Sequence, residues 1–417
     1  MEDFLEVTTA QDSARRVVWQ AFWGSRIVVF LAGVIAVAQF GNQPVTTIYD
    51  PDRLTAPFGS FANLLVSPFA RWDSAWYLAV AKFGYAPQTS GVPLSPSSNL
   101  ARMNFFPFYP GLIHVLGWVT RSDLIAGILI SLVAFAVALL LLYKLVALDF
   151  SEEVAAATVT LMAFCPMAFF FSAVYTESLF LALSLGSIYA ARRDRWVWAG
   201  VLGGLAAFTR VEGLVLLAPL VMILWPQRRR PPLRSVAVLL VPVGLLAYLS
   251  YLGIKYGDFT APFRTQSLFW MHTRTYPFGA VVKGAVDAVK GMRQLIQGPV
   301  QPYRIPLYAG GVSFSATQDI YNFLFLLLIA YAFFRGLRRL PPAYSAYTLL
   351  SLALPLTDPV AESPLGSIPR YAMVAFPLFI WGAEVVVRRR WTVQAVAISA
   401  VLLGLFTAEF ATWVWVG

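Results

Sequence analysis

Residues 122–147 read SDLIAGILISLVAFAVALLLLYKLVA, with charge only at Asp123 and Lys144, near either end. About 20 apolar residues in a helix cross a hydrocarbon layer roughly 30 Å thick, so this stretch is a membrane span by itself. Stretches of similar character recur along the chain at 17–40, 154–172, 177–191, 196–210, 212–226, 235–255, 319–335, 342–357, 370–387 and 392–414. Of the 417 residues, 59% are hydrophobic and only 12% charged, too few charges to cover a soluble globule of this size. Strand-like alternation is absent, so the spans are helices, about eleven of them. The expected fold is an all-α polytopic membrane protein forming one transmembrane unit over residues 1–417.

The net charge of +10 does not point to nucleic acid, because the basic residues sit in clusters at span ends. These are Arg15-Arg16 with Arg26, then Arg192-Arg193-Asp194-Arg195, Arg228-Arg229-Arg230 with Arg234, Arg335 with Arg338-Arg339, and Arg388-Arg389-Arg390. Excess Lys and Arg marks cytoplasmic ends, and an even number of crossings must separate consecutive clusters. The topology that satisfies all of them puts the N-terminus in the cytoplasm and the C-terminus outside. The head with Glu2, Asp3, Glu6 and Asp12 precedes no clear cleavage site, so the first span is expected to be a retained anchor. Cys165 is the single cysteine, which leaves no disulfide framework and no thiolate metal site.

On this topology two long loops, 41–121 and 257–318, face outward, together with short turns at Tyr175 to Ser178, Thr209 to Gly213 and Thr357 to Arg370. Most polar residues not acting as cytoplasmic anchors therefore collect at one face, as an outward active site requires. In the first loop, Asp73–Lys82 and Phe105–Trp118 flank a Pro/Ser/Gly-rich piece, Pro87 to Ser98, and read as helices lying in the interface with aromatic rings at headgroup depth. That loop mixes Asp73, Lys82 and Arg102 with many aromatic residues, which suits a pocket for something both anionic and greasy. Asp73 is either a salt-bridging residue beside Arg71 and Lys82 or a general base for an acceptor hydroxyl. Glu177 and Glu212 begin helices, where a carboxylate also serves the helix dipole. Arg210 and Arg370 run against the charge bias of the outer face and offer planar forks for a phosphate or a carboxylate. Arg264, Arg274 and Arg304 are less firmly placed candidates.

There are two histidines. His114 reads as an interfacial residue, whereas His272 can reach the site from the second loop. No His, Cys and carboxylate cluster has metal-ligand spacing, Asp50-Pro51-Asp52 reads as a turn, and no phosphate-binding glycine loop occurs. No cofactor is therefore expected, and a divalent ion stays open without being indicated.

The runs Arg71-Trp72-Asp73-Ser74-Ala75-Trp76-Tyr77-Leu78, Phe83-Gly84-Tyr85 and Asn104-Phe105-Phe106-Pro107-Phe108-Tyr109-Pro110 resemble the first-loop signature of the PIG-V family, GPI mannosyltransferase II. Pro166 to Phe180 (PMAFFFSAVYTESLF), Thr209-Arg210-Val211-Glu212-Gly213, and Pro369-Arg370-Tyr371 leading into Phe376-Pro377 continue the resemblance in family order. It implies a GT-C type glycosyltransferase using a polyprenyl phosphate sugar at the non-cytoplasmic face. The implied donor is mannosyl phosphoryl polyprenol, the transfer inverting and alpha-forming, and the base the aspartate at Asp73. Arg210 and Arg370, with Arg71 and Lys82, are then candidates for the donor phosphate. Glu177, Glu212, Trp72, Tyr109 and His272 are candidates for sugar or acceptor, and Trp270, Tyr276 and Tyr303 for stacking on sugar rings. The compact, Ala/Val/Arg/Trp-rich chain looks prokaryotic, which points to a plasma-membrane enzyme and to a membrane lipid or glycan acceptor other than GPI. Two other classes stay open from sequence: a lipid or solute transporter, and a non-catalytic scaffold with the same fold.

Overall fold

A computed structural model describes residues 2–41, 50, 52–85, 100–229, 231–270, 272–273, 275–276, 279–297, 303–305, 312–314, 316–360 and 363–416. The chain is built of helices: α1 (Glu2–Phe40), α2 (Ser60–Val66), α3 (Asp73–Phe83), α4 (Phe108–Thr120), α5 (Asp123–Val146), α6 (Glu152–Ala163), α7 (Glu177–Arg192), α8 (Trp196–Thr209), α9 (Leu217–Leu224), α10 (Leu240–Tyr256), α11 (Ala261–Phe269), α12 (Gly279–Gln297), α13 (Ala316–Gly336), α14 (Pro342–Thr357), α15 (Ile368–Met373), α16 (Pro377–Arg389) and α17 (Thr392–Ala411). A short antiparallel hairpin, Tyr303–Ile305 with Val312–Phe314, lies between α12 and α13. Among the described residues, five helices are long and apolar enough to cross a membrane: Ala14–Phe40, Asp123–Val146, Leu233–Tyr256, Gln318–Gly336 and Thr392–Ala411. The remaining apolar stretches of the sequence are also helical but shorter or interrupted.

The interruptions have local causes. The stretch 154–172 is α6 followed by a turn at Pro166 and a 3₁₀ segment, Ala168–Phe171. The stretch 370–387 divides between α15 and α16, where Pro377 in the first turn of α16 brings no backbone N–H to the junction. Arg26, expected with the cytoplasmic cluster, is instead 6% exposed. Its Nη1 donates to Ala168 O at 2.8 Å and Ser172 Oγ at 2.6 Å, and its Nη2 to Ala163 O at 3.3 Å. The guanidinium thus donates to carbonyls on both sides of the break at Pro166, a form in which a cation is tolerated inside an apolar bundle.

The core runs through α5, α7, α8 and α10, which pack side by side. Between α8 and α10 the backbones nearly touch, since a Cβ on Gly244 would sit 1.9 Å from Gly204 O. Close approach through small residues is how apolar helices associate where burial from water supplies little drive. Chain direction then sorts the polar groups. At one end Arg192 grips Asp149 with two bonds of 2.6 and 2.7 Å. At the other end of α7 stands Glu177, sixteen helical residues or about 24 Å away. The second loop adds α11, α12 and the hairpin, while Pro87 to Ser98, Arg274 and the side chains of Tyr303 and Arg304 lie outside the described residues.

Candidate active site

Asp73 owes its position to an unusual turn. Trp72, just before α3, has φ 53° and ψ −115°, a conformation costly for a bulky side chain unless its surroundings impose it. Here the surroundings are the end of the chain: the Trp72 ring meets Trp413 and Trp415 edge-on at 5.6 and 5.7 Å. Arg71 fastens the same turn, donating from Nε to Ala411 O at 2.8 Å and from Nη1 to Ser67 O at 2.6 Å. The Asp73 N–H donates to Tyr175 Oη at 3.1 Å, and that hydroxyl donates to Arg71 O at 3.1 Å.

From Asp73 a chain of alternating charges crosses the site. Arg370 Nη1 lies 3.0 Å from Asp73 Oδ2, and Arg370 Nε lies 2.8 Å from Glu177 Oε1. The same Glu177 oxygen accepts from Arg210 Nη1 at 2.7 Å. Arg210 then forks onto Glu212, with Nη2 to Oε1 at 3.0 Å and Nε to Oε2 at 3.4 Å. Three carboxylates thus face two guanidiniums, leaving one surplus negative charge in a largely buried network. Aromatic rings wall the cations: Arg370 lies over Tyr175 and Phe170, Arg210 over Tyr371.

Local backbone geometry delivers these groups. Glu177 opens α7 and is 1% exposed. Arg210 and Glu212 flank the turn between α8 and a 3₁₀ segment, Val211–Leu216, which folds back so tightly that a Cβ on Gly213 would lie 2.2 Å from Ala207 N. Arg370 comes from α15, the short helix before the Pro377 break. Asp73, in the loop outside the spanning segments, keeps a side chain 16% exposed. Burial pushes its carboxyl above the ordinary carboxylate range; Arg370 pulls the other way and Glu177 adds to the rise.

A cavity of about 200 Å³ opens onto this network. Asp73, Arg210, Glu212 and Arg370 line it with Trp72, Tyr77, Phe105, Trp270, His272 and Trp415. Trp76, Phe105 and Trp270 form one aromatic cluster with centroids 5.6–5.7 Å apart, so the second loop does reach the first-loop helix. His272 Nδ1 lies 3.7 Å from Asp358 Oδ2.

Other residues singled out by sequence fall elsewhere. Glu177 sits behind Arg210 and Arg370 rather than on the cavity wall, its carboxylate joining the two arginines. Tyr109 is fully buried, its hydroxyl 3.0 Å from Gly127 O and 2.8 Å from Ser131 Oγ, and reaches the site only through ring contact with Tyr77. The Arg71 guanidinium holds backbone and Ser67, and Lys82 stands at the far end of α3; neither lines the cavity. Arg264 pairs with Asp258 at 2.6 Å, and Tyr276 is exposed. Conversely, Trp415 lines the cavity without having been singled out, and so does Tyr371, which the sequence offered only as part of a motif and without a role. The tryptophans Trp413 and Trp415 at the end of the last apolar run were the available signal. Among the described residues, no group of three His, Cys, Asp or Glu is arranged to hold a metal ion.

Solved structures with overall likeness include the oligosaccharyltransferase of Archaeoglobus fulgidus tethered to an acceptor peptide (13% identity, TM-score 0.41, covering 96% of this chain and 56% of that one). The same enzyme in its apo form gives 13% identity, TM-score 0.43 and coverage of 94% and 56%. A complex with an inhibitory peptide and a dolichol-phosphate gives 12%, 0.38, 96% and 57%. The chain thus spans little more than half the length of those enzymes. No curated protein matches it in sequence. The family model described as mannosyltransferase (PIG-V) matches residues 17–225, half of the chain and the part that carries Asp73, Glu177, Arg210 and Glu212. The chain belongs to the PIG-V mannosyltransferase family.

Proposed function

We propose that this protein transfers mannose from a mannosyl phosphoryl polyprenol to a hydroxyl of a membrane lipid or glycan, with inversion, at the extracytoplasmic face of a prokaryotic plasma membrane. The observation that carries the reading is the Asp73 carboxylate on the wall of an aromatic cavity, beside two arginines and held at a turn the rest of the fold imposes.

The chemistry asks for little more. A sugar phosphodiester already carries a good leaving group, so a single base and a cationic cradle suffice. Asp73 takes the proton of the acceptor hydroxyl as its oxygen attacks C1 from the face opposite the phosphate. The C1–phosphate bond breaks and its electron pair leaves on the polyprenyl phosphate. Arg370 is the cation nearest the base, and the incoming phosphate competes with Asp73 for its N–H groups, so donor binding frees the carboxylate to accept a proton. Arg210, tied to Glu212 and Glu177, fixes the second cation. Trp72, Trp270 and Trp415 offer faces for sugar rings.

The test is transfer from labelled mannosyl phosphoryl polyprenol to a membrane lipid extract by purified wild type and Asp73→Asn. Transfer by wild type that falls at least about 10²-fold in the variant, with donor still bound, supports the reading. Full activity in the variant removes Asp73 from the chemistry, and donor binding without turnover by wild type in any extract favours a scaffold.

A further inference from the structure

We infer that the protein carries a second anion site, distinct from the active site, that holds the phosphate headgroup of an anionic glycerophospholipid at the far end of the catalytic helix. A groove of about 750 Å³ lies between the first loop and the start of α5. Three cations line it, Arg53, Lys82 and Arg121, along with His114. Two carboxylates, Asp52 and Asp123, line it as well, so the formal balance is one positive charge. Among the described residues none of the three cations forms an ion pair within 4.0 Å, in contrast to the arginines of the active site, each of which grips two carboxylates.

A second feature gives the headgroup its tails. Lys82 and His114 also line an adjoining groove of about 470 Å³ whose other walls include Pro110, Phe208, Tyr248 and Tyr251. Beside it, α4 turns Val115, Trp118 and Val119 outward at 69%, 78% and 78% exposure. A cationic pocket that runs into an apolar trough, next to an outward tryptophan, matches a phospholipid at headgroup depth. By chain direction the pocket is on the Asp73 side of the bundle, since Asp123 and Glu177 begin α5 and α7 while Asp149 and Arg192 are joined at their other ends.

This phosphate is not the donor's. Lys82 is nine residues beyond Asp73 in α3, about 13 Å along the axis, whereas a donor phosphate must lie within one sugar ring of the base. A lipid held here ties the end of the catalytic helix to the bilayer surface.

The measurement is native mass spectrometry of the full chain in detergent, exposed in turn to phosphatidylglycerol, phosphatidylcholine and inorganic phosphate. Wild type should retain phosphatidylglycerol over phosphatidylcholine by about tenfold or more, as expected for several cations acting together. The variant Arg53→Gln/Lys82→Gln/Arg121→Gln should lose that preference while unfolding at the wild-type temperature; single Lys82→Glu, a surface change, should weaken it in the same direction. An undiminished preference in both variants overturns the site. Displacement of the lipid by inorganic phosphate at comparable concentration overturns the lipid assignment in favour of a soluble anion. Because binding is read, neither outcome depends on the transfer reaction.

Discussion

Replacing Glu177 by Gln and Asp73 by Asn removes one negative charge each from the same network, yet the two should fail in opposite ways. Glu177 is 1% exposed, and one of its oxygens accepts from both arginines at 2.7 and 2.8 Å. Glu177→Gln leaves shape nearly unchanged but weakens two charge-assisted bonds at once and leaves each buried guanidinium with one carboxylate, Asp73 or Glu212, in place of two. Each buried bond to a charged group is worth about 1.5–3 kcal/mol, so weakening two of them removes a large share of the stability of an ordinary domain. Asp73 is different because burial opposes its ionised form while Arg370 supports it, so its charge contributes less to holding the fold. Asp73→Asn forfeits one bond to Arg370, which still has Glu177, and should change stability by about 1 kcal/mol or less.

The assay pairs thermal unfolding in detergent with mannose transfer for both variants. Expected is a clear drop in unfolding temperature for Glu177→Gln and a near wild-type temperature with transfer down about 10²- to 10⁴-fold for Asp73→Asn. Equal destabilisation by the two substitutions would falsify the division into a structural and a chemical carboxylate. So would an Asp73→Asn protein that is stable and fully active.

The pH profile of kcat/KM should show an acid limb centred above the ordinary aspartate value of about 4, because Asp73 must be ionised to accept a proton and burial raises its pKa. The sign for stability is opposite: between the unfolded and folded values the folded chain binds the extra proton, so this group's contribution falls as pH rises through that window, readable in unfolding temperatures. Gly213→Ala should destabilise the chain by about 3 kcal/mol and depress transfer, since the new Cβ meets Ala207 backbone and must displace the turn carrying Arg210 and Glu212; an active, equally stable variant refutes that packing. Arg26→Met should lower the unfolding temperature, because the carbonyls of Ala163 and Ala168 lose their donor in an apolar bundle at about 1–3 kcal/mol each; an unchanged midpoint would mean water replaces it.

The fold was legible because hydrophobic length is a property of each segment alone. A stretch such as 123–146 has no other stable home, and the stretch became α5 with the expected ends. Segments of intermediate length were harder. The break at Pro166 and the division at Pro377 depend on which neighbour satisfies freed backbone groups, and for Ala163 and Ala168 that neighbour is Arg26, more than a hundred residues earlier. Charge bias alone assigned Arg26 to the cytoplasmic side, because a lone arginine near a span end looks the same whether it anchors in water or caps carbonyls inside.

The site divides along the same line. Residues whose role follows from local chemistry, Asp73 at a helix start and Arg210 with Glu212 two positions on, were visible in short motifs. Partnerships were not: nothing in the sequence says that Arg370 bridges Asp73 and Glu177, because the three come together only when α3, α7 and α15 converge. Arg71 shows how little proximity in sequence says about a side chain's direction. Adjacent to Trp72 and two residues from Asp73, it read as a partner for a carboxylate or phosphate, yet its guanidinium reaches Ala411 and Trp413 at the end of the chain. That contact explains the strained Trp72, since the end of the chain holds the turn that positions Asp73. The Asp73 carboxylate is therefore positioned by residues more than three hundred apart, and a site built this way is preorganised only once the final helix has docked.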